Sequence, residues 1–146
     1  MGLAQASDYL ENLLIDHLFR TRTFAKPAAL YYGLFTAAPT DAGGGTEVAG
    51  GSYARAQLNP ADANYAATQG GVAGNSSGAG GTTSNAAAIT FPAPTANWGT
   101  VTHFGIFDAA AAGNLLIWDV LTAPRTILSG DPAPSFPIGA LQITVA

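Results

Sequence analysis

Two histidines and nine carboxylates are the groups of this 146-residue chain that could move a proton or hold a metal near neutral pH. His103 stands in T-V-T-H-F-G-I-F-D (Thr100–Asp108), which ends in one carboxylate, and the apolar run L-L-I-W-D-V-L (Leu115–Leu121) brings another, Asp119. A histidine oriented by an aspartate is the base of a hydrolytic triad, and the same residue types ligate zinc. Read as a strand, however, Val101, His103, Gly105 and Phe107 share one face, and Thr102, Phe104, Ile106 and Asp108 share the other. His103 and Asp108 thus point apart, and Asp108 falls at the mouth of a hairpin loop, a place that suits a turn-capping carboxylate. Asp119 can meet His103 across the hairpin, depending on register.

Neither reading gathers the remaining parts of a site. No G-x-S-x-G elbow supplies a nucleophile, and no H-x-H, H-E-x-x-H or C-x-x-C spacing supplies ligands. Most acids fall in loops or on the predicted helix, which does not suit a converging glycosidase pair. The run G-G-V-A-G-N-S-S-G-A-G-G (70–81) lacks the Gly-Lys-Ser/Thr of a phosphate loop. No catalytic residue, metal ligand or cofactor is assigned, and the chain is expected not to be an enzyme. Trp98, set between a Pro-rich loop and Gly99, is a candidate exposed platform for glycan contact, whereas Trp118, inside an apolar strand, reads as core. His17 reads as an amphipathic filler on a helix stripe, with pH sensing at an interface as the alternative.

The elements that must position these groups follow from periodicity. Residues 8–20 form the one clear helix, with Leu10, Leu13, Leu14, His17 and Leu18 on one stripe and Ile15 and Phe19 widening it. Asp8 with Glu11 fits an acidic capping box, Ser7 is the alternative cap, and Asp16 and Arg20 can pair one turn apart. The helix either docks on its own domain or buries against a neighbouring subunit. Strands are expected at 29–36, 52–58 (Tyr53 and Arg55 on one face), 86–91, 101–108, 115–121 and 139–145, with 123–130 a short exposed strand or turn. Residues 37–51 form a long loop, and 59–85, almost all Asn, Ala, Gly, Ser and Thr, a surface excursion. The fold class is therefore mainly β: an antiparallel β-sandwich, jelly-roll-like, with one N-terminal α-helix, barrel closure remaining open. Residues 1–26 are helix and linker and 27–146 the β domain.

Composition bounds the partners. Only 10% of residues are charged, far below the usual quarter, so the surface is rich in small residues or is covered by a partner. The net charge of −4 and scattered arginines argue against nucleic acid, which requires clustered cations. Arg20, Arg22 and Lys26 are local and complement a helix C-terminus. There is no cysteine, hence no disulfide. No signal peptide or long apolar run is evident, so synthesis in a cytoplasm without membrane insertion is expected.

The ordered set Y-L-E-N-L-L-I-D-H (Tyr9–His17), A-L-Y-Y-G-L-F-T-A-A-P (Ala29–Pro39), G-G-G-T-E-V-A-G-G-S-Y-A-R (Gly43–Arg55), T-T-S-N-A-A-A-I-T-F-P (Thr82–Pro92), W-G-T-V-T-H-F-G-I-F-D (Trp98–Asp108) and G-N-L-L-I-W (Gly113–Trp118) resembles small virion proteins of tailed bacteriophages, labelled tail-fibre-like or head-decoration proteins. It departs from them at 59–81. The resemblance implies a virion structural protein assembled in the host cytoplasm, with no catalytic residue to carry over. The expectation is a capsid decoration (cement) protein that stabilises the outer capsid surface; the alternative is a tail-fibre or baseplate-associated adhesin touching host glycan through Trp98. The major capsid protein or other virion proteins are the expected partners, with self-association as a homo-oligomer, a trimer being the guess. Docking is assigned to Leu10, Leu13, Leu14, His17 and Leu18 of the helix and to Thr46, Glu47 and Val48 of the following loop.

Overall fold

The computed structural model describes residues 4–145. In chain order these form β1 (Gln5–Ala6), α1 (Asp8–Phe19), β2 (Tyr31–Ala37), β3 (Thr46–Glu47), β4 (Ala56–Gln57), β5 (Thr82–Ser84), β6 (Ile89–Thr90), β7 (Gly99–Phe107), β8 (Leu115–Ile127), β9 (Ser135–Phe136) and β10 (Gln142–Thr144). One antiparallel sheet has the order β1–β8–β7–β2–β3, and β4 shares the outer edge of β2 with β3. Two ribbons, β5–β10 and β6–β9, make up the rest. The chain is thus mainly β and antiparallel with a single N-terminal helix, as its periodicities predict.

The core lies between one face of the large sheet and the ribbons. Tyr32 and Leu34 from β2 and Phe104 and Ile106 from β7 meet Ile89, Phe91, Leu141 and Ile143, and the Phe104 and Phe136 rings sit edge to face at 6.1 Å. The opposite face of the sheet carries a smaller cluster of Phe35, Phe107 and Leu115, flanked by Tyr31 and Trp118. Room for it comes from two glycines facing each other across β2 and β7, Gly33 and Gly105. A Cβ on Gly105 would lie 2.8 Å from Leu115 Cδ1 and 2.9 Å from the Phe35 ring, so any side chain there would evict the cluster.

Ser7, not Asp8, caps α1. Its backbone is extended, its Oγ accepts from the Leu10 N–H at 3.2 Å and donates to the Leu115 carbonyl at 2.5 Å. A buried hydroxyl therefore satisfies one orphan helix donor and fixes the helix on β8. Asp8 and Glu11 occupy the first turn, where carboxylates oppose the positive end of the helix dipole. The segment ahead of the helix joins the sheet, with Gln5 opposite Trp118 and Ala6 opposite Ile117.

Several strand boundaries move. Of 52–58 only Ala56–Gln57 pairs, and of 86–91 only Ile89–Thr90. Instead of ending near Leu121, β8 continues through Pro124 to Ile127, because residues 121–124 bulge opposite Thr102 alone before Arg125 pairs with Val101. A bulge lets proline sit in a strand without breaking a ladder bond. The excursion 59–85 is exposed along its tip but anchored at its base. The Tyr65 hydroxyl lies 2.6 Å from that of Tyr32 and donates to the Leu58 carbonyl, and Gln69 clamps the tip through Asn75 O and Ser77 N.

Candidate functional site

Register decides the histidine question. Phe104 pairs with Asp119 and His103 with Val120, so Asp119 lies on the core face and His103 on the other, and the two do not meet. A one-residue irregularity at Leu116, between the Phe107–Leu115 and Ile106–Ile117 pairs, shifts the register in a way that alternation along one strand cannot report. His103 instead sits 2.8 Å from Thr102 Oγ1 through Nδ1 and tilts against Trp118, ring centroids 6.1 Å apart. Asp119 is buried, with Oδ1 accepting from the Val120 N–H and Oδ2 without a protein partner. Asp108 is the turn cap its position suggests, accepting from both the backbone and side-chain N–H groups of Asn114.

The outer face of the sheet holds the most organised polar cluster. Arg55 forms a two-pronged pair with Glu47, Nε to Oε1 and Nη2 to Oε2, each 2.8 Å. Its Nη1 donates to the carbonyls of Ala109 and Ala112, and its Cζ lies 3.4 Å over the Phe107 ring. Tyr53 donates to Glu47 Oε1 and accepts from the Leu34 N–H. Burial pushes the Tyr53 phenol well above its ordinary range, helped by the negative Glu47 and opposed by the Leu34 N–H. Tyr53 and Arg55, placed on one face by alternation, thus converge on one carboxylate. Beside them opens a groove of about 510 Å³ floored by Phe35, Phe107 and Leu115 and rimmed by Asp8, Asp41 and Glu47. Two of those rim carboxylates have partners, Glu47 in Arg55 and Asp41 in the Trp118 indole N–H at 3.2 Å.

Three candidate contacts from sequence, Trp98, Val48 and Glu47, are corrected. Trp98 is buried, 5% exposed, with its indole N–H donating to the Gly51 carbonyl and its ring edge-on to Tyr53. It cannot present a face to a glycan, and Gly99 after it serves a left-handed backbone position (φ 87°) rather than an exposed loop. Val48 is equally buried, in the core cluster, and cannot dock. Glu47 is turned inward to Arg55, and only Thr46 of that trio is exposed. Trp118 is half-buried on the outer face of the sheet, outside the main core.

The helix stripe divides. Leu10 and Leu13 are half-buried toward the sheet, and His17 is exposed with Nδ1 accepting from the Phe24 N–H at 3.1 Å. Leu14 and Leu18 turn outward together with Ile15 and Phe19, at 38, 68, 52 and 81% exposure. No residue of α1 is buried. A 12-residue helix is marginal on propensity alone, and among the described residues no element covers Leu14, Ile15, Leu18 and Phe19.

One residue invisible to sequence reasoning organises the far end of the core. Asn85, 1% exposed, donates to the carbonyls of Ala87 and Pro137 and accepts from the Leu141 N–H at 2.9 Å. Its place at the end of a low-complexity run gave no signal of this. Among the described residues no three metal-ligating side chains come together, and no helix is long and apolar enough to cross a membrane.

The described residues thus offer an apolar-floored groove and an exposed apolar helix face. No curated protein matches the chain. A family model described as podophage GP4 fiber I protein gp80 matches residues 5–144. The match spans β1 through β10, and so includes the helix and both faces of the sheet. The chain therefore belongs to the podophage GP4 fiber I protein gp80 family and is a structural protein of a tailed-phage virion.

Proposed function

We propose that this virion protein is part of the fibre apparatus, held in the particle through the outward face of α1. The observation that carries the reading is the exposure of Leu14, Ile15, Leu18 and Phe19 on a helix with no buried residue. A contiguous apolar patch of this kind marks a contact site on a folded protein. The family's name speaks for the fibre. The role is structural rather than catalytic, with other virion proteins and copies of the chain itself as partners. Host glycan contact, if the fibre makes it, does not run through Trp98, whose ring is buried.

Capsid decoration is the second reading, favoured by a chain in which only 10% of residues are charged, which suits a protein spread over a large lattice. Copy number and position separate the two. Quantifying the protein against the major capsid protein in purified virions, with gold-labelled antibody to locate it, gives few copies at the tail for a fibre component. Copies comparable to the capsid subunits, spread over the head, would replace this reading with decoration.

A further inference from the structure

We infer that the cleft beneath the glycine-rich excursion binds a neutral saccharide, as a linked sugar unit of a polysaccharide. This rests on the fibre reading, for which it names a ligand, and it uses none of the outward residues of α1. The cleft measures about 340 Å³, at the small end of ligand sites. Lys26 enters it from the linker after α1, Asp62 and Tyr65 from the base of the excursion, and Val72, Asn75 and Ser76 from near its tip. The side chains of Lys26, Asp62 and Asn75 form no hydrogen bond or ion pair with any described residue. Three strong hydrogen-bonding groups thus converge on one concavity with their capacity unspent. Between them lies the half-buried Tyr65, whose hydroxyl is turned away to Tyr32 and the Leu58 carbonyl.

The ligand class follows from charge and from donors. One ammonium and one carboxylate cancel, so a charged ligand gains no net attraction, and no Asp, Glu, Lys or Arg occurs between Asp62 and Asp108. An ammonium only donates, a carboxylate only accepts and an amide does both. That set suits neighbouring hydroxyls, each of which donates and accepts, while the Tyr65 ring and Val72 offer an apolar patch to the C–H face of a sugar ring. Peptide recognition runs through a sheet edge or an apolar groove, and a cleft lined by Lys26, Asp62, Asn75 and Ser76 is neither. The wall is also held in place before a ligand arrives. Gln69 donates to the Asn75 carbonyl and accepts from the Ser77 N–H, and the Thr68 N–H donates to Ser76 Oγ. A wall ordered in advance lowers the entropic cost of binding.

The test is an NMR titration of the isotope-labelled full chain with methyl glycosides of a neutral hexose, a deoxyhexose and an N-acetylhexosamine. At least one is expected to bind with a millimolar Kd, shifting the amide signals of Asp62, Tyr65, Val72 and Asn75 and leaving those of α1 unmoved. Asp62→Ala, at an exposed position without a partner, keeps the urea midpoint and weakens binding about tenfold or more, the effect of losing a charged acceptor. Asn75→Ala weakens it a few-fold. No shift with any of the sugars, shifts confined to another surface, or an affinity untouched by Asp62→Ala overturns the proposal. Tighter binding of a uronic acid glycoside than of its neutral parent overturns the neutral ligand, and binding of a free sugar whose methyl glycoside fails overturns the linked unit. Cleft shifts from a hydroxyl-rich peptide and from no sugar replace the saccharide with protein. Each of these failures leaves the fibre reading to the copy-number measurement. Sugar binding lost in Asp62→Ala, in a protein found over the head at capsid copy number, supports the cleft and removes the fibre reading instead.

Discussion

Replacing Arg55 with methionine tests whether the outer-face network is what holds the hairpin turn to the sheet. Methionine keeps most of the volume over the Phe107 ring but removes the two bonds to Glu47 and the bonds to Ala109 O and Ala112 O. Breaking a buried ion pair from one side costs about 3–5 kcal/mol, because a carboxylate is left without its cation. The Glu47 side chain is a quarter exposed, so water partly recovers it and the low end, about 3 kcal/mol, applies. For a chain of this size that lowers Tm by roughly 6–12 °C. Urea unfolding followed by tryptophan fluorescence measures it directly, since Trp98 and Trp118 report on the two faces of the sheet. Glu47→Gln combined with Arg55→Met should cost little more than Arg55→Met alone, a coupling of about 1–3 kcal/mol. A loss below about 1 kcal/mol, or strict additivity, would refute the reasoning.

Alkaline pH provides a second test. Burial raises the phenols of Tyr32, Tyr53 and Tyr65. Stability is therefore full below the unfolded tyrosine value of about 10 and falls as pH rises above it, by up to about 1.4 kcal/mol per pH unit for each raised group. Tyr53→Phe should flatten that slope in urea titrations at successive pH values, and an unchanged slope would count against the assignment. Gly105→Ala should destabilise by about 1–3 kcal/mol through overpacking against Leu115 and Phe35, read as a lower urea midpoint, whereas a neutral effect would mean the cluster yields easily. Asn85→Ala should cost about 2–3 kcal/mol by leaving the Leu141 N–H without its acceptor and removing the side-chain donor from the Ala87 and Pro137 carbonyls, the latter keeping its bond from the Ala140 N–H. Asn85→Asp, which sets a negative charge against those carbonyls, should be worse, and calorimetry would show the order reversed if the hub does not matter.

Local patterns proved readable and long-range pairings did not. The 3.6-residue period of α1, the hairpin of β7 and β8, the Asp108 cap and the shared face of Tyr53 and Arg55 all depend on neighbours a few residues apart. The same period identifies an apolar stripe but not which half meets the sheet; the Ser7 bond to Leu115 O decides that by setting how the helix lies. The missing His103–Asp119 contact depends on one extra residue, Leu116, inside the hairpin, and the burial of Trp98 and the role of Asn85 depend on partners far along the chain. Trp98 bonds to Gly51, 47 residues away, and Asn85 to Leu141, 56 residues away. Glycine before or after a tryptophan resembles an exposed loop in sequence, yet here it is the means by which the backbone turns the ring inward.

The central claim is that the outward face of α1 holds this protein in the virion. Phage lacking the native gene product, complemented with the Ile15→Asp/Leu18→Asp chain, measure this most directly when purified particles are quantified for the protein. Both positions are exposed, so the variant should fold with an unchanged urea midpoint and yet be missing from the particles. Particles carrying the folded variant at the wild-type copy number would contradict the account.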